Sequence, residues 1–202
     1  MTLHPAIDVS ALRQREFGAR GTMWWGILLM VMVESAMLGC LAAAYFYLRL
    51  NFAEWPPHGT PLPDVGIPTL TLLLLIASII PMYLADHHAR AGDDDGTMMF
   101  WVWIGIALGV AILTSRWYEF KALHTRWDEN AYGSIVWFVI GVHSGHILAS
   151  TIETLVLAVH LHGKQIDRKD RVDVHVDGVY WYFVVAAWVF FYFVIYWSPR
   201  WL

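Results

Sequence analysis

Five stretches of this sequence are apolar and long enough to cross a bilayer, and no other feature narrows the architecture as far. A hydrocarbon core about 30 Å thick is spanned by about 20 predominantly apolar helical residues. The stretches cover roughly residues 22–48, 67–85, 98–115, 132–161 and 179–198. In lipid the backbone must satisfy its own hydrogen bonds, so each is predicted to be a transmembrane α-helix. The expected fold class is therefore all-α, an integral membrane bundle of five helices. A short N-terminal segment, 1–21, would precede a single transmembrane domain, 22–202.

Composition agrees with a bilayer as solvent. Hydrophobic residues make up 58% and charged residues 15% of the chain, against roughly 45–50% and 25% in soluble domains. Twelve Trp, nine Tyr and ten Phe suit aromatic belts at two membrane interfaces. The single cysteine, Cys40, lies within an apolar run; alone it makes neither an internal disulfide nor a thiolate metal site. A formal charge of −4 and the lack of any basic stripe with interleaved aromatics exclude nucleic acid as a partner. Residues 1–20 contain Asp8, Arg13, Arg15, Glu16 and Arg20 without an apolar stretch, so no cleavable leader is expected. From Ser10 the chain reads either as a short interfacial helix or as a solvated tail.

Four short connections allow positive charges to be counted by side. With the N-terminus inside, Arg13, Arg15, Arg20, Arg90, Lys164, Arg168, Lys169 and Arg171 lie on the cytoplasmic side. Arg49, Arg116, Lys121, Arg126 and Arg200 then lie outside. Eight against five predicts N-in, C-out. Small residues at four-residue spacing mark three candidate packing faces: Ser35/Gly39/Ala43, Gly105/Gly109 and Gly141/Gly145/Ala149.

Several polar groups sit where lipid would disfavour them. Glu34 lies near the middle of the first span, where an ionised carboxylate costs at least about 2.5 kcal/mol. Two readings stay open: part of a proton-linked or gating site, or a neutral acid donating an interhelical hydrogen bond. In the fourth span His143, His146, Ser150 and Glu153 fall within one stripe at 100° per residue. His143 or His146 is the expected partner of Glu34, since imidazole and carboxylate satisfy each other. Two histidines one turn apart offer only half a metal site, with Glu153 two turns further on. His87, His88, His124, His160, His162 and His175 lie in loops or at helix ends, where solvated histidines are the common case. No nucleophile with a paired base, phosphate-cradling loop or dinucleotide fingerprint is present.

Several segments, in order, match one family. They are Leu29-Met30-Val31-Met32-Val33-Glu34 with Tyr45-Phe46-Tyr47, then Trp117-Tyr118-Glu119-Phe120. Next come Asn130-Ala131-Tyr132-Gly133-Ser134 with Gly141-Val142-His143-Ser144-Gly145-His146. Last is Tyr180-Trp181-Tyr182-Phe183-Val184 with Trp188 and Ile195-Tyr196-Trp197-Ser198-Pro199. Together they resemble subunit III of haem-copper terminal oxidases, over roughly residues 22–199. The resemblance implies a Glu34 to His143 contact. It further implies a non-catalytic subunit in a bacterial inner (plasma) membrane, packed beside the haem-bearing subunit I and other oxidase subunits. Such a subunit binds phospholipid and supports proton uptake; haem and copper lie on the partners, with no cofactor or metal on this chain. Two departures stand out. The family usually has seven helices, so a two-helix arm is not represented here. Tyr182 and Val185 replace a His and an Asp common in the family's last helix.

Two other function classes are weighed. A proton- or ion-coupled transporter would use Glu34, His143 and Glu153 as a relay, yet the spans offer little polar lining beyond Ser150, Thr151 and Thr154. A membrane diiron enzyme would bind stoichiometric metal on this chain alone.

Overall fold

Each apolar stretch folds into one long helix; the fourth matches its expected bounds to within one residue, and the other four run past theirs into polar sequence. The computed structural model describes residues 16–201. Its helices are α1 (Thr22–Leu50), α2 (Gly66–Ala91), α3 (Asp95–Lys121), α4 (Ala131–Leu161) and α5 (Arg168–Tyr192). A widened π-helical turn, Phe193–Trp197, carries α5 into a last helical turn at Ser198–Trp201. All five are long and apolar enough to span a membrane, and the described residues contain no strand. The expected five-helix all-α class is thus the observed one. The possible interfacial helix from Ser10 lies outside the described residues.

Short connections make neighbouring helices antiparallel. The start of α1 therefore shares one end of the bundle, here the Thr22 end, with the loops after α2 and α4. The Leu50 end holds the loops after α1 and α3 and the C-terminal turn. Helices α2, α3, α4 and α5 close a ring in which each packs on the next, whereas α1 lies outside it against α4 and α5. Accordingly 11% of the apolar part of α1 is buried, against 56% for the last span. The core between the four ring helices contains Leu75, Ile112, Val136, Ile140, Ile147, Trp188 and Ile195, all at most 1% exposed.

Caps fix the helix ends. At α2 the chain leaves through Gly92 at φ 72°, whose N–H reaches back to the His88 carbonyl, a left-handed position that suits glycine. Asp94 starts α3 by accepting from the N–H groups of Gly96 and Thr97 and from the Thr97 hydroxyl. These bonds, the Thr97 hydroxyl foremost, hold its carboxyl below the usual carboxylate range. Asn130 caps α4 through Gly133 N–H at 2.8 Å and also donates to Thr60 Oγ1 at 2.9 Å. Its replacement by alanine is expected to cost about 0.5–2 kcal/mol. The check is thermal unfolding in detergent, with Asn130→Asp retaining most of the stability; an unchanged transition for the alanine variant would contradict the capping role.

Of the three small-residue faces, one is used within the chain. A Cβ on Gly105 would meet Met82 Sδ at 2.9 Å, and one on Gly109 would meet Thr151 Oγ1 at 2.6 Å. This face lets α3 approach α2 and α4. The other two are corrected: Ser35, Gly39, Ala43, Gly141, Gly145 and Ala149 all point outward, and a Cβ on Gly39, Gly141 or Gly145 meets nothing. Small residues permit a close approach without supplying the neighbour that makes it.

Two polar segments expected as loops are helical. Residues 116–121 complete α3 and residues 168–177 open α5. Several of their charges are answered inside the protein, which lets the helix extend through them. Lys164 Nζ lies 3.0 Å from Asp170 Oδ1, and Arg171 pairs with Asp95.

Candidate functional site

Opposite charges at i, i+3 on one face of α3 set the centre of the site. Arg116 and Glu119 are 1% and 0% exposed, and Arg116 Nη1 donates to Glu119 Oε2 at 2.7 Å. The other carboxylate oxygen accepts from Tyr196 O–H at 2.5 Å. Arg116 Nη2 reaches His143 Nδ1 at 3.0 Å, and His143 Nε2 is 2.9 Å from the Val184 carbonyl oxygen. Arginine has no acceptor, so Nδ1 accepts and the ring proton sits on Nε2, donated to Val184. Trp188 completes the group: its ring lies 3.4 Å beneath the guanidinium carbon and stacks on His143 at 4.7 Å and 29°. A desolvated cation over an aromatic face contributes about 2 kcal/mol. One ion pair thus ties α3, α4, α5 and the C-terminal π turn together, with its charges spent on one another.

Glu34 sits elsewhere, which corrects the expected Glu34 to His143 pair. Its carboxylate accepts from Tyr180 O–H at 3.0 and 3.2 Å, and the nearer histidine is His146, with Nε2 3.7 Å from Oε2. His143 and His146 differ by 60° around α4. The first turns inward to Arg116 and Val184 and the second faces α1, so the two compete for different neighbours. The relay of Glu34, His143 and Glu153 is likewise not assembled, because His143 belongs to the Arg116 group.

The other residues marked from sequence are distributed as follows. Tyr118 is exposed, while Tyr132 is buried against Trp55, ring centroids 5.3 Å apart. Gly133 lies against the Arg126 carbonyl and Thr125, leaving no room for a Cβ. Ser134 O–H donates to Trp127 O at 2.6 Å, and Gly141 faces outward. Trp181 donates to Ser78 Oγ at 2.8 Å, linking α5 to α2. Ser150 is fully buried; its carbonyl accepts from Thr154 O–H at 2.9 Å, and its own hydroxyl has no hydrogen-bond partner among the described residues. Glu153 is exposed.

Several functional side chains were not singled out from the sequence. Arg116 was counted as a loop charge and is an interior one; the Arg116/Glu119 spacing on one helical face was the signal available. His175, expected among the solvated histidines, is 2% exposed, with Nδ1 2.9 Å from Asp86 Oδ1. Arg90 Nε donates to both oxygens of Asp86 at 3.0 and 3.1 Å, and Trp24 stacks on the imidazole at 5.9 Å. This second group ties α1, α2 and α5 at the Thr22 end. Among the described residues no three His, Cys, Asp or Glu side chains converge closely enough to hold a metal ion.

Comparison with known proteins bears on the same residues. Residues 11–200 match the family model described as "Cytochrome c oxidase subunit III". A "Cytochrome c oxidase subunit 3" of Thermostichus vulcanus is 29% identical over 174 residues, covering 85% of each chain. Its counterpart in Synechocystis sp. is 27% identical over 85% of this chain and 74% of the relative. One from Chondrus crispus is 26% identical over 86% and 65%.

Proposed function

This chain belongs to the cytochrome c oxidase subunit III family, and from that premise we propose that it packs beside the haem-bearing subunit I of a proton-pumping terminal oxidase. It is a multi-pass membrane subunit that associates with other oxidase subunits. On our reading it stabilises subunit I, carries bound phospholipid and supports proton uptake, in the plasma membrane of a bacterium. The observation that carries this reading is the buried group around Arg116. The family-motif residues Glu119, His143, Trp188 and Tyr196 meet there around Arg116 and bind one another across three helices and the C-terminal turn, as a scaffold requires.

Supporting details come from charge and shape. With Arg116 withdrawn into the bundle, the flanking positive charges are eight at the Thr22 end and four at the other, which supports a cytoplasmic Thr22 end. A groove of about 280 Å³ between α1 and α5, lined by Leu38, Gly39, Phe183 and Phe190 among others, offers an apolar lining suited to an acyl chain.

Purification in mild detergent is expected to recover this chain with haem-containing subunits; a stable haem-free homo-oligomer would overturn the reading. Glu34→Ala leaves the Tyr180 hydroxyl unanswered between α1 and α5, at a cost of about 1–3 kcal/mol. Haem spectra should be unchanged, while retention of this chain during detergent washing and activity over prolonged turnover should fall. Loss of haem incorporation in that variant would contradict a supporting role.

A further inference from the structure

The connection from α3 to α4 folds over a cavity at the Leu50 end that takes no part in the Arg116 group. Trp117, Phe120, Lys121, His124, Glu129 and Trp137 line it, and its volume is about 670 Å³. Phe120 and Trp137 pack at 4.8 Å and 41°, and the Trp137 indole donates to the Thr125 carbonyl at 2.8 Å, which holds the loop against α4. Leu123 and Thr125 are 1% and 5% exposed. The loop is thus pinned on either side of His124, which is exposed and held at φ 55°. A left-handed position costs free energy for any residue with a Cβ, and such positions gather at ligand sites.

Two opposite charges face this cavity without neutralising each other. Lys121 Nζ lies 5.5 Å from the Trp117 ring and 6.0 Å from that of Tyr118, and no carboxylate pairs with it among the described residues. Glu129 accepts from the neutral Thr125 hydroxyl at 3.1 Å and likewise has no cation among the described residues. Arg126, the other cation on the wall, is already held by Asp128 at 2.9 Å. A ligand that carries both a phosphate and an ammonium answers the two free charges together. A purely anionic headgroup would face the Glu129 carboxylate as a like charge, and a quaternary ammonium would offer that carboxylate no N–H donor. The His124 imidazole adds a further N–H for the phosphate.

The surroundings continue from headgroup to hydrocarbon. Lys121 closes α3 and Glu129 stands two residues before α4, with Trp117 and Trp127 exposed beside them as interfacial aromatics are. Trp137 also lines a second, apolar cavity of about 540 Å³ with Leu48, Ile135 and Phe138. Ile135 and Phe138 lie four and seven residues beyond the start of α4, about 6 and 10 Å further into the bilayer.

We propose that the cavity under the α3 to α4 loop is a headgroup site for a zwitterionic phospholipid with a primary ammonium. The phosphate sits on Lys121 and His124, the ammonium on Glu129, and the glycerol end passes Trp137 into the apolar cavity. The proposal rests on the reading of this chain as a phospholipid carrier and adds to it a headgroup class and a place apart from the groove between α1 and α5.

Native mass spectrometry of the chain, in whatever complex it is recovered, tests this after washing and addition of an equimolar mixture of phosphatidylethanolamine, phosphatidylcholine and phosphatidylglycerol. Phosphatidylethanolamine is expected to stay bound in preference to the other two. Glu129→Gln, which keeps an acceptor for Thr125, should lower its affinity about tenfold and leave phosphatidylcholine unchanged, as the loss of one hydrogen bond between charged groups requires. Lys121→Ala should weaken all three lipids, and Lys121→Arg should restore them. Equal retention of the three, a preference for phosphatidylglycerol, or a preference for phosphatidylethanolamine that survives both Glu129→Gln and Lys121→Ala would overturn the proposal. Haem content is a separate readout: its absence from the unaltered complex would count against the oxidase reading and leave the lipid result to stand or fall by itself.

Discussion

Replacing Arg116 with leucine is expected to destabilise the protein by about 3–5 kcal/mol, the range for breaking a buried ion pair by removing one partner. Leucine fills much of the volume, so packing loss is not the main cost. The Glu119 carboxylate, 0% exposed, would keep only Tyr196 O–H, and His143 Nδ1 would lose its donor. The double variant Arg116→Leu/Glu119→Leu should recover much of the loss, because two apolar groups in place of a buried pair are often neutral or stabilising. Unfolding of the detergent-solubilised protein by heat and by denaturing detergent gives the cycle. A single-variant cost under about 1 kcal/mol, or strictly additive effects, would mean that the pair does not hold the helices together.

Trp188→Ala is the second large effect, at about 3–5 kcal/mol. The indole is 0% exposed, the bulkiest of the fully buried side chains, and its faces meet the Arg116 guanidinium and the His143 imidazole. Truncation opens a cavity at the junction of α3, α4 and α5 and removes the ring that the buried cation lies on. Trp188→Phe keeps an aromatic face and should cost about 1.5 kcal/mol or less. An alanine variant that unfolds within a degree or two of the parent would show that the network tolerates the loss of its stacking partner.

Much of the architecture was legible because its signals are local. Apolar length marks each helix, and opposing charges and caps mark their ends. The helices nevertheless extend beyond the hydropathy estimate. Arg171, His175 and Asp177 read as loop residues in a window of average polarity, yet each is answered by a partner that only the fold brings near. The misassigned partner of Glu34 has a related cause. Helical periodicity places His143 and His146 in one stripe, but a 60° difference decides which faces α1 and which faces Arg116. That difference matters only once the positions of the neighbouring helices are known.

The amino-acid order by itself determined a membrane bundle of five helices, the motif residues of its family and the presence of intramembrane acids, since each depends on spacing along one chain. Tertiary structure decided which charges meet: Arg116 with Glu119 and His143, Asp86 with His175, and Glu34 with Tyr180. The physical reason is that burial makes an unpaired polar group costly, so the pairs are selected by how five helices pack together and not by any property of a single helix.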